Sequence, residues 1–190
     1  GYFCDNLDKT FAGQRYLARQ LRYVSRSKAV PLNATDLGDL NVFPLETEKH
    51  FSSVISQCEA VLELGAHLVL VGGDSSGLKA LGAAVQNVIN PDVPIVSLSN
   101  NNKLNLSKTQ KIILSVDLKE LAGKWLSKPR RLNGLSPSQI ISQINNIPNK
   151  IIAVAIFGLA PELDSRGSTE TQVALNILEA VVKRLDKGAH

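Results

Sequence analysis

Residues 67–77 read HLVLVGGDSSG, and this stretch decides the fold class. The apolar run LVLV ends at the pair Gly72-Gly73, and apolar residues at helical spacing follow over residues 77–88. Apolar runs without alternation are typical of strands that are buried on both faces, as they are in parallel sheets. The stretch therefore predicts a strand, a tight turn and a helix, which is the repeating unit of α/β domains.

The rest of the chain repeats this alternation. Further strand-like runs lie at residues 93–98, 111–116 and 151–157, with a weaker run at 36–42. Apolar spacing predicts helices near 14–24, at 46–64, from 136 onward and at about 169–185. Ser136, Pro137 and Gln139 have the order of a capping box at a helix start. We expect one α/β domain over residues 1–190, doubly wound in three layers around a mostly parallel sheet.

In such sheets, ligands bind beyond the carboxyl ends of the strands. The residues at these ends are Asp74, Ser75 and Ser76, then Ser99 to Asn102, then Asp117, and finally Gly158 to Pro161. Among them only Asp74 and Asp117 offer carboxylates, Asp164 is more remote, and no histidine is present. The crevice is the predicted site, although it supplies few of the ligands that divalent ions need.

Composition excludes several classes of protein. The 190 residues are 44% apolar and 20% charged, which is typical of a globular chain, and no run approaches the roughly 20 apolar residues of a membrane span. Neither GxGxxG nor a P-loop is present, which argues against a Rossmann dehydrogenase and a P-loop NTPase.

Two cysteines, Cys4 and Cys58, cannot form a disulfide framework, and no apolar signal segment is visible, so we expect a cytoplasmic protein. Helical spacing predicts that Cys58 is a buried apolar residue rather than a nucleophile.

The charge distribution is mild. The net charge is +4, the densest basic run lies at residues 119–131, and aromatic residues make up only 5% of the chain. This pattern favours a solvated basic face over a nucleic-acid site, because stacking platforms are scarce. We expect neither nucleic acid nor a membrane as a partner.

A GxSxG pattern at residues 73–77 lies between the first strand and its helix. It is the context of a nucleophile elbow, with Ser75 as the nucleophile of a serine hydrolase. That chemistry needs an acid and then a histidine downstream, and only His190 qualifies, since His50 and His67 precede Ser75. The alternative is a Gly-Gly turn that lets the strand reverse tightly into its helix.

Seven segments in collinear order resemble the motifs of one superfamily. They are GQR at 13–15 with LR at 21–22, DLGDLNV at 36–42, VGGDSS at 71–76, IVSLSNN at 95–101, LSVDLK at 114–119, GLSP at 134–137, and APELD at 160–164 with Gly167 and Thr169. Together they resemble the ureohydrolases, which include arginases, agmatinases and formimidoylglutamases. The resemblance covers nearly the whole chain and implies the arginase-like α/β fold.

The resemblance does not extend to the metal ligands. Ureohydrolases hold two manganese ions whose bound hydroxide attacks a guanidinium carbon, and the ligands come from one histidine, a DAHxD segment and a DxD pair. Carried over residue by residue, the six ligand positions are Ser75, Ser99, Asn101, Lys103, Asp117 and Lys119. Only Asp117 keeps a ligand of the expected type. Gly158 stands where the family often has a glutamate that contacts substrate.

The spacing of the motifs also departs from the family. Only 18 positions separate Ser99 from Asp117, whereas relatives place further strands, a helix and substrate loops there. We therefore expect residues to be missing between about 99 and 117, in which case Lys103 has no reliable counterpart. The chain has no methionine and opens at Gly1, so the length of 190 is taken as a lower bound.

The resemblance leads to two hypotheses about function. The first is a ureohydrolase-fold protein with a degenerate manganese site, a pseudoenzyme or a protein of altered function, which needs no cofactor. Under this first hypothesis, Lys119 and Lys103 could place ammonium groups where relatives hold metal, with Lys119 paired to Asp117. The alternative for Lys119 is a side chain that points into solvent.

The second hypothesis is an active, manganese-dependent hydrolase of guanidino or amidino C–N bonds with a divergent site. The resemblance further implies a trimeric or hexameric homo-oligomer and a small guanidino ligand.

Overall fold

The computed structural model describes residues 1–2, 14–27, 33–43, 45–98, 110–122, 125–126, 134–161 and 169–187. Within these ranges the chain forms four strands: β1 Leu68–Val71, β2 Ile95–Ser97, β3 Lys111–Asp117 and β4 Lys150–Phe157. The same described residues form five α-helices: α1 Leu17–Ser27, α2 Thr47–Leu62, α3 Ser76–Val88, α4 Pro137–Asn146 and α5 Thr169–Lys187. Short 3₁₀ turns cover Gln14–Tyr16 and Leu118–Glu120.

The strands form one parallel sheet in the order β1-β4-β3-β2. Val71 is paired with Ile156, and Asp117 is paired with Phe157. Because all four strands run in the same direction, their carboxyl ends lie along one edge. The expected parallel sheet is confirmed, and its register brings together the ends of β1, β3 and β4, which carry Asp74, Asp117 and Gly158.

Helices cover both faces of the sheet. Ile112, Leu114 and Val116 alternate onto the face that packs against α1, α4 and α5. Ile113 on β3, with Ala153 and Ala155 on β4, points to the opposite face, which packs against α2 and α3. The doubly wound, three-layer α/β architecture is therefore confirmed, with the central strands buried on both sides.

Cys58 lies in the core between α2 and the sheet. It is 1% exposed, and burial raises the pKa of its thiol to about 11. The thiol therefore stays protonated, as the helical spacing predicted for a buried apolar position.

One predicted strand is not formed. Residues 36–42 adopt no regular secondary structure. Their backbone groups bond to side chains of α1 and α2 and to the single residue Gly1, whose amino group donates to the Gly38 carbonyl at 2.6 Å and whose carbonyl accepts from the Leu40 N–H at 2.9 Å. Arg22 on α1 donates to the Asp36 carboxylate at 2.7 and 3.0 Å and to the Gly38 carbonyl at 2.8 Å. The following residues 40–43, named the strap here, lie along α2 and are held by its side chains.

The predicted capping box is present at the start of α4. The Ser136 hydroxyl accepts from the Gln139 backbone N–H at 3.2 Å, and the Gln139 side chain accepts from the Ser136 N–H at 2.8 Å. Pro137 occupies the first turn, where its missing N–H costs nothing. Three residues of the sequence were therefore enough to predict where this helix begins.

No helix in the described part of the chain is both long and apolar enough to cross a membrane.

We predict that Ser136→Ala lowers the free energy of unfolding by about 1 kcal/mol, because it removes one half of the capping box. Urea denaturation would measure the loss. Ser142→Ala, an exposed change within the same helix, is the control and should have a much smaller effect. Equal effects of the two substitutions would contradict a stabilising cap.

Candidate functional site

The turn after β1 is fixed by backbone hydrogen bonds from two other elements. Gly72 donates to the Ile156 carbonyl at 2.8 Å, and Gly73 donates to the Gln14 carbonyl at 3.0 Å. Gly158 in turn donates to the Gly73 carbonyl at 3.3 Å. Gly72 and Gly73 have φ values of +99° and +66°, which favour glycine. These bonds tie the end of β1 to the end of β4.

Asp74, Ser75 and Ser76 follow this turn and begin α3. The Asp74 carboxylate is fully buried and accepts from both the backbone N–H, at 2.9 Å, and the hydroxyl of Ser76. A carboxylate at the N-terminus of a helix is favoured by the helix dipole. Asp74 and Ser76 thus have internal structural partners, whereas the half-buried Ser75 is the more accessible of the three.

Ser75 does not have the geometry of a strained nucleophile elbow. Its backbone is helical, with φ −65° and ψ −10°, and the positive φ values lie at the preceding glycines. The nitrogens of His50 are taken by other groups, since Nδ1 accepts from the Phe43 N–H and Nε2 lies 2.7 Å from the Tyr2 hydroxyl. The geometry of the described residues favours the tight Gly-Gly turn over a serine hydrolase site, and His190, the downstream histidine that such a site needs, lies outside them.

Asp117 and Lys119 form a compact pair at the end of β3. The Asp117 carboxylate accepts from the Lys119 backbone N–H at 2.9 Å, which starts a short 3₁₀ turn. The turn returns the lysine side chain toward the same carboxylate, with Nζ at 3.9 Å from Oδ2. Nζ also lies 6.0 Å from the centre of the Phe157 ring.

Lys119 is buried, with only 7% of its side chain exposed, whereas Asp117 is 29% exposed. The prediction of a solvated basic face at 119–131 is therefore wrong for Lys119, because the 3₁₀ turn directs it inward. The alternative in which Lys119 points into solvent is also excluded. Residues 123–124 and 127–133 lie outside the described part of the chain.

Gly158 completes the Asp117–Lys119 pair by lacking a side chain. Its φ is +90°, and a Cβ placed there would overlap the Asp117 carboxylate and lie 3.1 Å from both Cγ and Cε of Lys119. Asp117 and Lys119 therefore fill the volume that a side chain at position 158 would occupy.

The structure thus joins Asp117, Lys119 and Gly158 directly, and it places the turn carrying Ser75 beside them through the Gly158–Gly73 bond. Ser99, Asn101, Lys103 and Asp164 lie outside the described residues. Among the residues that are described, no group of three or more His, Cys, Asp or Glu side chains could hold a metal ion.

Sequence reasoning missed Tyr2 and His50. The Tyr2 hydroxyl lies 2.7 Å from His50 Nε2 and 2.5 Å from the Ser76 hydroxyl, which extends the hydrogen bonding of Asp74 to α2. The sequence did carry a signal for His50, because positions 50, 54, 58 and 62 form the buried face of α2. Nothing local marks Tyr2, whose partners are 48 and 74 positions away.

No protein-family model matches the chain, and no curated protein matches it. Solved structures do match. Proclavaminate amidino hydrolase from Streptomyces clavuligerus has a TM-score of 0.84 at 14% identity, covering 99% of this chain and 90% of the other. Formimidoylglutamase from Bacillus subtilis has a TM-score of 0.79 at 14% identity, covering 100% and 87%. Formiminoglutamase from Trypanosoma cruzi, solved with Mn²⁺, has a TM-score of 0.72 at 13% identity, covering 97% and 92%. The resemblance is confirmed at the level of architecture: the chain has the arginase-like fold of the ureohydrolases.

Proposed function

We propose that this chain is a ureohydrolase-fold protein with a degenerate binuclear manganese site, retained for a non-catalytic or altered function. One observation carries the proposal: the buried ammonium of Lys119 lies 3.9 Å from Asp117, the only family ligand type kept among the six matched positions. The ammonium balances the charge of a carboxylate that would otherwise attract a cation.

The residues of this crevice do not fit a pair of divalent ions. Two such ions require several carboxylates or imidazoles. Here Ser75 provides a neutral hydroxyl, and Lys119 provides a positive charge beside Asp117 that repels a dication. No cluster of three acidic, histidine or cysteine ligands exists within the described ranges. The donor set therefore supports a site that functions without manganese.

Gly158 supports the same conclusion independently. The resemblance implies that relatives often have a substrate-contacting glutamate at this position. In this chain, the Asp117–Lys119 pair occupies the space beside Gly158, and any Cβ would meet it. Lys119 and Gly158 both differ from the residues that the resemblance implies, and the glycine leaves the room that the Asp117–Lys119 pair fills. This fit is expected if the two differences together replace the catalytic site of the relatives.

The alternative is an active metal-dependent hydrolase of guanidino or amidino C–N bonds. It draws support from the structural neighbours, one of which is an amidino hydrolase and another a formiminoglutamase solved with Mn²⁺.

The main proposal also includes a cytoplasmic homo-oligomer, trimeric or hexameric, that binds a small guanidino ligand, because the resemblance implies this assembly and ligand class.

We predict that Mn²⁺ titrated into the purified chain gives no stoichiometric binding by calorimetry, and that the protein releases no urea from arginine or agmatine. The matched variant Lys119→Asp removes the repelling ammonium and adds a carboxylate, so its affinity for Mn²⁺ should rise above that of the wild type. Stoichiometric Mn²⁺ binding by the unmodified chain would overturn the proposal in favour of the active hydrolase.

We predict that Lys119 and Asp117 stabilise the fold as a pair. Lys119→Met should cost about 1–3 kcal/mol, between the values typical of exposed and buried ion pairs, because Asp117 is partly exposed. Asp117→Asn should be less destabilising in the Lys119→Met background than in the wild type. Lys79→Met, at an exposed position of α3, is the control. Strictly additive effects in denaturation experiments would argue against the pairing.

We predict that Gly158→Ala lowers the free energy of unfolding by more than about 2 kcal/mol, because it combines backbone strain with overlap against Asp117. Gly65→Ala is a matched control, since Gly65 has a φ of +72° and its Cβ would meet nothing within 4 Å. The difference between the two variants measures the overlap. Adding Asp117→Ala to Gly158→Ala should recover part of the loss, and no recovery would show that Asp117 does not cause it.

A further inference from the structure

Three polar side chains in a row on α2 form hydrogen bonds with the backbone of the strap. Gln57 accepts from the Asn41 N–H at 3.0 Å and donates to the Asn41 carbonyl at 3.3 Å, and the Ser53 hydroxyl donates to the same carbonyl at 3.1 Å. His50 Nδ1 accepts from the Phe43 N–H at 3.3 Å. Positions 50, 53 and 57 share one helix face. The row therefore supplies the partners of the Asn41 and Phe43 backbone, while the Leu40 N–H donates to the Gly1 carbonyl at 2.9 Å.

The bond from Phe43 determines where His50 carries its proton. A backbone N–H can only donate, so Nδ1 is unprotonated and the proton of the neutral ring is on Nε2. Nε2 then donates to the Tyr2 hydroxyl, which donates to the Ser76 hydroxyl, which donates to the Asp74 carboxylate. The hydrogen bonds form one directed chain that ends on a buried negative charge.

The surroundings of His50 favour its neutral form. The residue is 2% exposed, and burial lowers the pKa of the imidazole, although the Asp74 carboxylate opposes this by raising it. Besides Asp74, the Tyr2 phenol faces the ring from outside α2. At the start of α2, Lys49 Nζ lies 3.2 Å from a carboxylate oxygen of Glu46, the residue before the helix.

We propose that His50 is a pH-sensitive latch, which holds the strap on α2 while the imidazole is neutral and releases it when Nδ1 is protonated. A protonated Nδ1 becomes a donor that faces the Phe43 N–H, so an attractive contact becomes a repulsive one. Ser53 and Gln57 do not titrate, which makes His50 the only pH-dependent member of the row. This inference stands apart from the proposed function.

Protonation of His50 would detach the strap but not the residues before it. The Arg22 contacts to Asp36 and Gly38 do not involve His50, so the chain before the strap stays attached to α1. Leu40 and Val42 pack partly buried against the core between α2, α3 and the sheet, and they would become exposed. Because the released state binds more protons, the closed strap is fully stable above the ordinary histidine pKa of about 6.5 and loses stability as the pH falls below it.

Amide hydrogen exchange by NMR, corrected for the intrinsic pH dependence of exchange, would test the latch. Relative to β4 amides, the Phe43 amide should lose protection as the pH falls from 7.5 to 5.0, by up to about tenfold per pH unit. His50→Gln should abolish this pH dependence. His67→Gln, at another histidine of the described chain, should retain it. Protection that does not vary with pH in the wild type, or that varies equally in His50→Gln, would overturn the proposal.

A second measurement needs no variant, in case His50→Gln fails to fold. The ring signals of His50 in the wild type should titrate with a midpoint below that of an ordinary histidine, and the Phe43 amide signal should follow the same midpoint. A ring that titrates while the Phe43 signal stays constant would show that protonation does not open the latch.

Discussion

The parallel register between β3 and β4 is the constraint on which the rest of the structure depends. It pairs Asp117 with Phe157, so Gly158, the residue that follows β4, comes directly against the carboxylate. The backbone bond from Gly158 to Gly73 then attaches the end of β1 to the same point. A shift of this register by one residue would turn the side chains of β3 to the opposite faces relative to β4 and move Asp117 away from Gly158.

Much of the fold could be read from the sequence, because its central elements bury apolar residues in simple periods. The four strands of the sheet and the helices that cover it lie within a few residues of the predicted positions. Residues 36–42 are the instructive failure. Their weak apolar run predicted a strand, yet Arg22, Ser53 and Gln57 bind their backbone, and such side-chain partners leave no periodic signal.

The strand ends of the sequence predicted which residues would meet at one edge of the sheet, and among the described residues Asp74, Ser75, Asp117 and Gly158 do meet there. The contacts that these side chains make were predictable only in part. The direction of Lys119 was not readable, because it depends on a single 3₁₀ turn that the Asp117 side chain itself caps. Tyr2 was unreadable for another reason: its contacts to His50 and Ser76 cross long stretches of chain, and no local pattern encodes them.

The close approach of Gly158 to Asp117 and Lys119 has a consequence for the redesign of the crevice. A Cβ at position 158 would overlap the Asp117 carboxylate and lie 3.1 Å from two side-chain carbons of Lys119, so the three positions are sterically coupled. A side chain introduced at 158 requires its two neighbours to shift, and the effects of substitutions at the three positions will therefore not add. Engineering of this crevice has to vary the three positions together rather than one at a time.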